Sequence, residues 1–344
     1  MTDAARDGAD PEEATSAPPS VSALLGPPPR IAGNRLDWAL GAVLLTILAL
    51  LAIPGEALLG PYIAGLVMKA MILALAAISL DILIGQAGLV SLGHAAFIGL
   101  GAYVTGISLE EGLYDATTIL ALTVAASALF ALVTGAISLR TSGVYFIMIT
   151  LAFGQMLFFA ASSLSQYGGD DGLTLWSTSE LFGTGILQDD TGLFRVTLTA
   201  LAGGWLFAGL LAGSRFGRVL RAAREAPIRT ETLGFEIFRY RLAAYVIAGV
   251  IGGVAGFLLA HQAEFVSPAA AAWQRSGDLI IMVLIGGMGT RSGALLGALA
   301  FVALEEGLSL VLHEWRLIFG PLLVLLVLFA RGGLVAALAR LTHR

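Results

Sequence analysis

The chain has 344 residues, of which 57% are hydrophobic and 12% charged, with a mean hydropathy of +0.88 and a formal net charge of −5. Soluble globular domains carry about 25% charge, so this composition excludes a soluble enzyme, a nucleic-acid binder and a disordered regulator. It leaves a polytopic α-helical membrane protein. The lack of cysteine removes disulfides, thiolate metal sites and cysteine nucleophiles together.

Residues 1–35 differ from the rest. Asp3, Asp7, Asp10, Glu12 and Glu13 share the stretch with Pro18, Pro19 and Pro27-Pro28-Pro29. Too little apolar surface is available there to offset ordering entropy, which predicts a disordered acidic tail. With no basic start followed by an apolar core, it does not read as a signal peptide. From Trp38 onward, apolar stretches recur at about the 20 residues needed to cross hydrocarbon. They fall near 38–54, 61–84, 91–109, 116–139, 143–164, 193–213, 241–260, 277–311 and 315–331. The eighth is too long for one straight helix and is interrupted by Gly286-Gly287-Met288-Gly289. Residues 36–344 are therefore predicted to form an all-α transmembrane bundle of about ten spans, including glycine-broken helices.

Two glycine runs stand out along the chain. The first is Gly85-Gln86-Ala87-Gly88-Leu89-Val90-Ser91-Leu92-Gly93-His94; the second is Gly286-Gly287-Met288-Gly289-Thr290-Arg291-Ser292-Gly293. Irregular backbone at membrane depth is tolerated only inside protein or beside a water-filled cavity, so both runs point to a translocation pathway. Their similarity suggests an internal repeat of open symmetry. Small-residue ridges at Ser91, Ala95 and Gly99, at Ala248, Gly252, Gly256 and Ala260, and at Gly289, Gly293 and Gly297 predict close helix packing.

Ionisable residues within the spans are few: Lys69, Asp81, His94, Asp278, Glu305 and Glu306. Asp81, His94 and a glutamate read either as a proton relay or as groups satisfying backbone and subunit contacts, with Lys69 reaching toward the interface. His94 has no second ligand at metal spacing, so no metal site is expected. Neither His-Glu-x-x-His, a P-loop nor Gly-x-Ser-x-Gly occurs, so neither catalytic residues nor a cofactor are expected.

The segment 214–241 holds Arg215, Arg218, Arg221, Arg224, Arg229, Arg239 and Arg241, seven of the nineteen basic residues. The positive-inside rule assigns it to the cytoplasm, and counting spans from it puts both termini there too. Residues 216–225 suit a short helix. Pro227 disfavours helix at Ala226 and can open a second one, and Gly234 is a natural stop. Such a helix–kink–helix fits a groove on a soluble partner or lies on anionic lipid.

The run from Gly85 to Phe97, continued by Gly101-Ala102-Tyr103, resembles the signature of LivM-type permeases. These are membrane subunits of bacterial ABC importers for branched-chain amino acids. Further matches in order are Gly143-Val144-Tyr145-Phe146 with Thr150-Leu151-Ala152-Phe153, Arg221-Ala222 with Arg224-Glu225 through Leu233-Gly234, and Gly286 to Thr290. The closing Arg331-Gly332-Gly333-Leu334 is similar to the family's terminus, with one extra glycine. The resemblance implies a multi-pass protein of the bacterial inner membrane that moves amino acids inward by alternating access. It also implies a homologous second permease, two cytoplasmic ATP-binding subunits and an outside solute-binding protein. Arg221, Arg224, Glu225 and Gly234 become the expected ATPase-coupling residues. Gln86, Gly88, Ser91, His94, Gln155, Gly286 and Gly289 become the expected pathway residues. Relatives of this kind also carry urea, amides or carboxylates, which keeps the solute open. A secondary transporter of a small organic solute, using Asp81, His94 or Glu305 as a proton or ion site, is the alternative.

Overall fold

The computed structural model describes residues 34–52, 56–180, 183–311, 319–321 and 333–342. Nearly all of the tail expected at 1–35 and of the last span expected at 315–331 lies outside them. The helices are α1 (Asn34–Ala52), α2 (Glu56–Asp81), α3 (Ala95–Glu110), α4 (Ala116–Ser138), α5 (Val144–Ser162) and α6 (Asp190–Gly213). They continue with α7 (Arg215–Glu225), α8 (Pro227–Thr232), α9 (Ile237–Ala263), α10 (Trp273–Gly286), α11 (Gly293–Val311) and α12 (Gly333–Thr342). Among the described residues, six helices are long and apolar enough to cross a bilayer. The architecture is the all-α transmembrane bundle that composition predicts.

The layering follows from which side chains each helix can hide. Helix α2 has almost no polar face and lies at the centre, with residues such as Met71, Ile72 and Leu80 fully buried. Helices α3 and α9 pack beside it through small residues. A Cβ placed on Gly101 would lie 2.1 Å from the Gly253 carbonyl, and one on Gly256 would lie 2.0 Å from the Ile98 carbonyl. Removing side chains lets backbones approach where lipid supplies no hydrophobic drive between helices. Gly101→Val should therefore separate α3 from α9 and lower stability by about 3 kcal/mol. Gly65→Ala, with open space at its Cβ, should leave the thermal midpoint in detergent unchanged.

Helix α4 is inverted relative to a soluble helix. Its Thr123, Ser127, Thr134 and Ser138 are buried, while Leu122, Leu129, Leu132, Val133 and Ile137 are exposed. Helix α5 exposes Tyr145, Met148, Met156 and Phe159 in the same manner. These outer faces suit hydrocarbon or a partner subunit, and not water.

One end of the bundle is tied by a short antiparallel pair, β1 (Leu173–Thr174) with β2 (Phe265–Val266), joining Leu173 to Val266. Nearby, His261 Nδ1 lies 2.9 Å from the Phe257 carbonyl and its Nε2 lies 2.6 Å from Ser179 Oγ. The carbonyl can only accept, so Nδ1 carries the proton and Nε2 accepts from the serine. Asp115 caps α4 at this end. Hydrogen bonds from Thr117 and then Thr118 hold its carboxyl down at about 2.

Two expected ridges are corrected here. Ser91 belongs to the turn before α3, which begins only at Ala95, and Gly289 to the turn before α11, which begins only at Gly293, so neither Ser91, Ala95 and Gly99 nor Gly289, Gly293 and Gly297 share a helix face. In the first, three glycines in ten residues and the turn they permit end the helical backbone earlier than hydropathy indicates.

Candidate functional site: a glycine seal beneath the basic helices

The first glycine run changes the backbone as soon as it begins. After Asp81, α2 widens into a π-helical turn over Ile82–Ala87 that ends at Gly88, whose φ of +71° lies in the left-handed region. The Gly88 and Leu89 amides both reach back to the Leu83 carbonyl. This turn meets the second run. A Cβ on Gly85 would lie 2.6 Å from Gly289 Cα, so the two backbones touch where only glycine fits. Gly286 packs more closely still, where a Cβ would lie 1.8 Å from the Gly293 carbonyl, which joins α10 to α11 at the same end.

Two buried carboxylates cap the second run. Asp81 Oδ1 accepts from the Gly289 amide at 2.8 Å. Asp37, from the first turn of α1, accepts from the Arg291 amide at 2.8 Å and the Ser292 amide at 3.0 Å. The Arg291 guanidinium lies 4.6 Å from the centre of the Trp38 ring. Orphan amides before a helix attract anionic oxygen, so both acids have a structural task here.

The basic segment lies directly against this seal. Helix α7 starts at its cap Ser214, which accepts from the Gly217 amide, and ends at Ala226 with φ −145° and ψ 76°. Pro227 then opens α8, and Gly234, at φ +87°, follows its last turn. The helix–kink–helix expected from Pro227 and Gly234 is present. Its arginines do not all face outward. Arg221 Nη1 donates to Gln86 Oε1 at 2.7 Å, and Arg224 Nη1 donates to the Gly85 carbonyl at 2.6 Å. The Arg224 stem also covers Gly88, where a Cβ would meet its Cγ at 2.7 Å. Glu225, Ile228, Arg229, Leu233 and Gly234 are exposed on the other side.

The remaining pathway candidates do not gather at one place. His94 is fully buried, with Nε2 at 2.7 Å from Ser79 Oγ. Ser79 donates its proton to the Ala76 carbonyl, so His94 donates from Nε2 and fastens the turn to α2. Ser91 is fully buried in that turn. Gln155 follows Gly154 on α5, where the turn packs against α5 through Gly93. Gln86 and Gly289 border a crevice of about 20 Å³ next to the seal. A much larger cavity, about 390 Å³, lies between α2, α3, α9 and α10 on the side away from α7. Lys69, Arg275 and Asp278 line it. Lys69 stands twelve residues before Asp81 on α2, roughly 18 Å along the helix.

Sequence reasoning passed over Asp37, Ser79 and Arg275. Arg275 and Asp278 at i and i+3 were the available signal; Asp37 and Ser79 find their partners only through the fold. Among the described residues, no group of three His, Asp or Glu is placed to hold a metal ion.

The sequence is similar to those of known permeases. LivM, the high-affinity branched-chain amino acid transport system permease protein of Escherichia coli, is 28% identical over 89% of this chain and 77% of its own length. The Salmonella typhimurium LivM is 26% identical over 77% of this chain and 68% of its own. The autoinducer 2 import system permease LsrC of an Enterobacter species is 30% identical over 71% of each chain. No solved structure matches. The family model described as "Branched-chain amino acid transport system / permease component" matches residues 62–330, and this chain belongs to that family.

Proposed function

We propose that the chain is the permease subunit of an ABC importer that passes branched-chain amino acids into the cytoplasm, driven by ATP-binding subunits docked on α7 and α8. The observation that carries this reading is the attachment of α7 to the glycine seal through Arg221 and Arg224. Arginine clustering orients that end toward the cytoplasm. Glu225, Ile228, Leu233 and Gly234 offer the outward face a groove on an ATPase would take. Arg221 and Arg224 then act as the inner half of the coupling, holding the part of α2 that must move. ATP binding closes the ATPase pair and displaces α7. That movement pulls on Gln86 and Gly85 and opens the contact with Gly289, while an outside binding protein delivers solute at the opposite end. A second, homologous permease completes the pathway, and the exposed face of α5 is the surface available to it or to lipid. The chain itself carries no catalytic centre in this scheme; the energy enters through other subunits.

Glu225→Lys with Gly234→Ala tests the docking face. Gly234 has open space around its Cβ but a left-handed φ, so alanine strains the exit of α8 without disturbing the bundle. The expected outcome is loss of co-purification with the ATP-binding subunits, or ATP hydrolysis uncoupled from uptake. Normal assembly with normal uptake contradicts the assignment.

A further inference from the structure

We propose that the cavity between α2, α3, α9 and α10 is a transit site for an α-amino acid, with Asp278 receiving the ammonium, and Lys69 and Arg275 the carboxylate. This rests on the import reading above and adds the place where the solute pauses. Charged side chains within a bilayer are costly and mark pathways or paired networks. Here three of them line the cavity, Lys69, Arg275 and Asp278, and Glu305 stands beside it as the partner of Lys69, so the formal charges of the four cancel. A site with separated charges and no net charge complements a zwitterion better than an anion, a cation or a neutral sugar.

The pairing geometry leaves these groups available. Lys69 stands 3.8 Å from Glu305 and Arg275 stands 3.7 Å from Asp278, whereas the surface pair Arg239–Glu236 closes to 2.7 Å. At the longer distances neither pair makes a good hydrogen bond, and the four side chains are 25–47% exposed. Each can exchange its loose partner for a ligand charge. Beside Gln262 and Ser267, most of the remaining wall is apolar, from Leu73, Ile98, Leu259, Leu279 and Met282, which suits a branched apolar side chain. At about 390 Å³ the cavity falls in the usual size range for small-molecule sites. It also lies on the far side of the Gly85–Gly289 contact from α7, where a solute entering from outside would wait for that contact to open.

The test uses the complete importer, with its second permease, ATPases and binding protein, in proteoliposomes, and labelled leucine as probe. The chain has no cysteine, so Ala269→Cys on the cavity wall gives a single thiol, with the other subunits also rendered cysteine-free. Asp278→Asn should lower leucine uptake at least about tenfold while ATP hydrolysis stimulated by the binding protein persists. Ala269→Cys supplies its own untreated baseline, and a bulky, impermeant methanethiosulfonate applied from outside should stop that uptake. Uptake at the wild-type rate by Asp278→Asn or by the modified Ala269→Cys protein overturns the transit site. Should Asp278→Asn fail to assemble, the treated and untreated Ala269→Cys proteins decide alone. Failure of the wild-type complex to move any amino acid overturns the import reading instead.

Discussion

Replacing Arg221 and Arg224 together by alanine is expected to abolish uptake while the complex still assembles and hydrolyses ATP. Each guanidinium makes one short hydrogen bond to the broken segment of α2, at 2.7 and 2.6 Å. Hydrogen bonds to charged groups contribute about 1.5–3 kcal/mol each, so losing both corresponds to about a hundredfold or more in the coupled rate. The outward face that includes Glu225, Ile228 and Leu233 is untouched by the change, so ATPase binding should survive. Co-purification, ATP hydrolysis and uptake, measured on one preparation, separate this outcome from unfolding. Uptake at the wild-type rate would mean that α7 moves nothing.

The second large effect is expected at Gly85. Alanine there places a methyl 2.6 Å from Gly289 Cα and 2.7 Å from Asp81 Oδ1. Both neighbours are held: Gly289 by the hydrogen bond its amide donates to Asp81, and Asp81 by burial in the bundle. Neither can retreat as the end of a flexible side chain would. Gly85→Ala should therefore open the seal permanently and lower stability by about 2–3 kcal/mol. A leak of small solutes through vesicles lacking ATP would report the open seal, and a lower thermal midpoint in detergent would report the strain. Gly203→Ala, where a Cβ meets nothing within 4 Å, is the matched control and should behave as wild type. Equal behaviour of the two variants would show that the Gly85–Gly289 contact does not close the pathway.

Local chemistry was legible and long-range pairing was not. Pro227 and Gly234 act within a few residues of themselves, so the kinked pair α7–α8 could be read directly. Hydropathy likewise identified the apolar segments, because each depends only on its own composition. Asp81 and His94, by contrast, could be read as isolated ionisable residues either as members of a proton relay or as groups satisfying backbone and subunit contacts. Their partners lie elsewhere in the chain: Asp81 bonds to Gly289, and His94 to Ser79. Both therefore serve the backbone and the turn. The same blindness applied to the arginines. Their clustering indicated a cytoplasmic docking loop, but only the fold shows that two of them turn back to Gln86 and Gly85. The glycine runs fell between these cases. Their irregular backbone was evident from composition, whereas their mutual contact needs α2 and α10 side by side.

Leucine uptake by this chain, reconstituted with its second permease, ATP-binding subunits and binding protein, is the direct measurement. Uptake is expected to require ATP inside and all four components, with none driven by a proton gradient alone. Uptake driven by a proton gradient in vesicles lacking the ATP-binding subunits would contradict it.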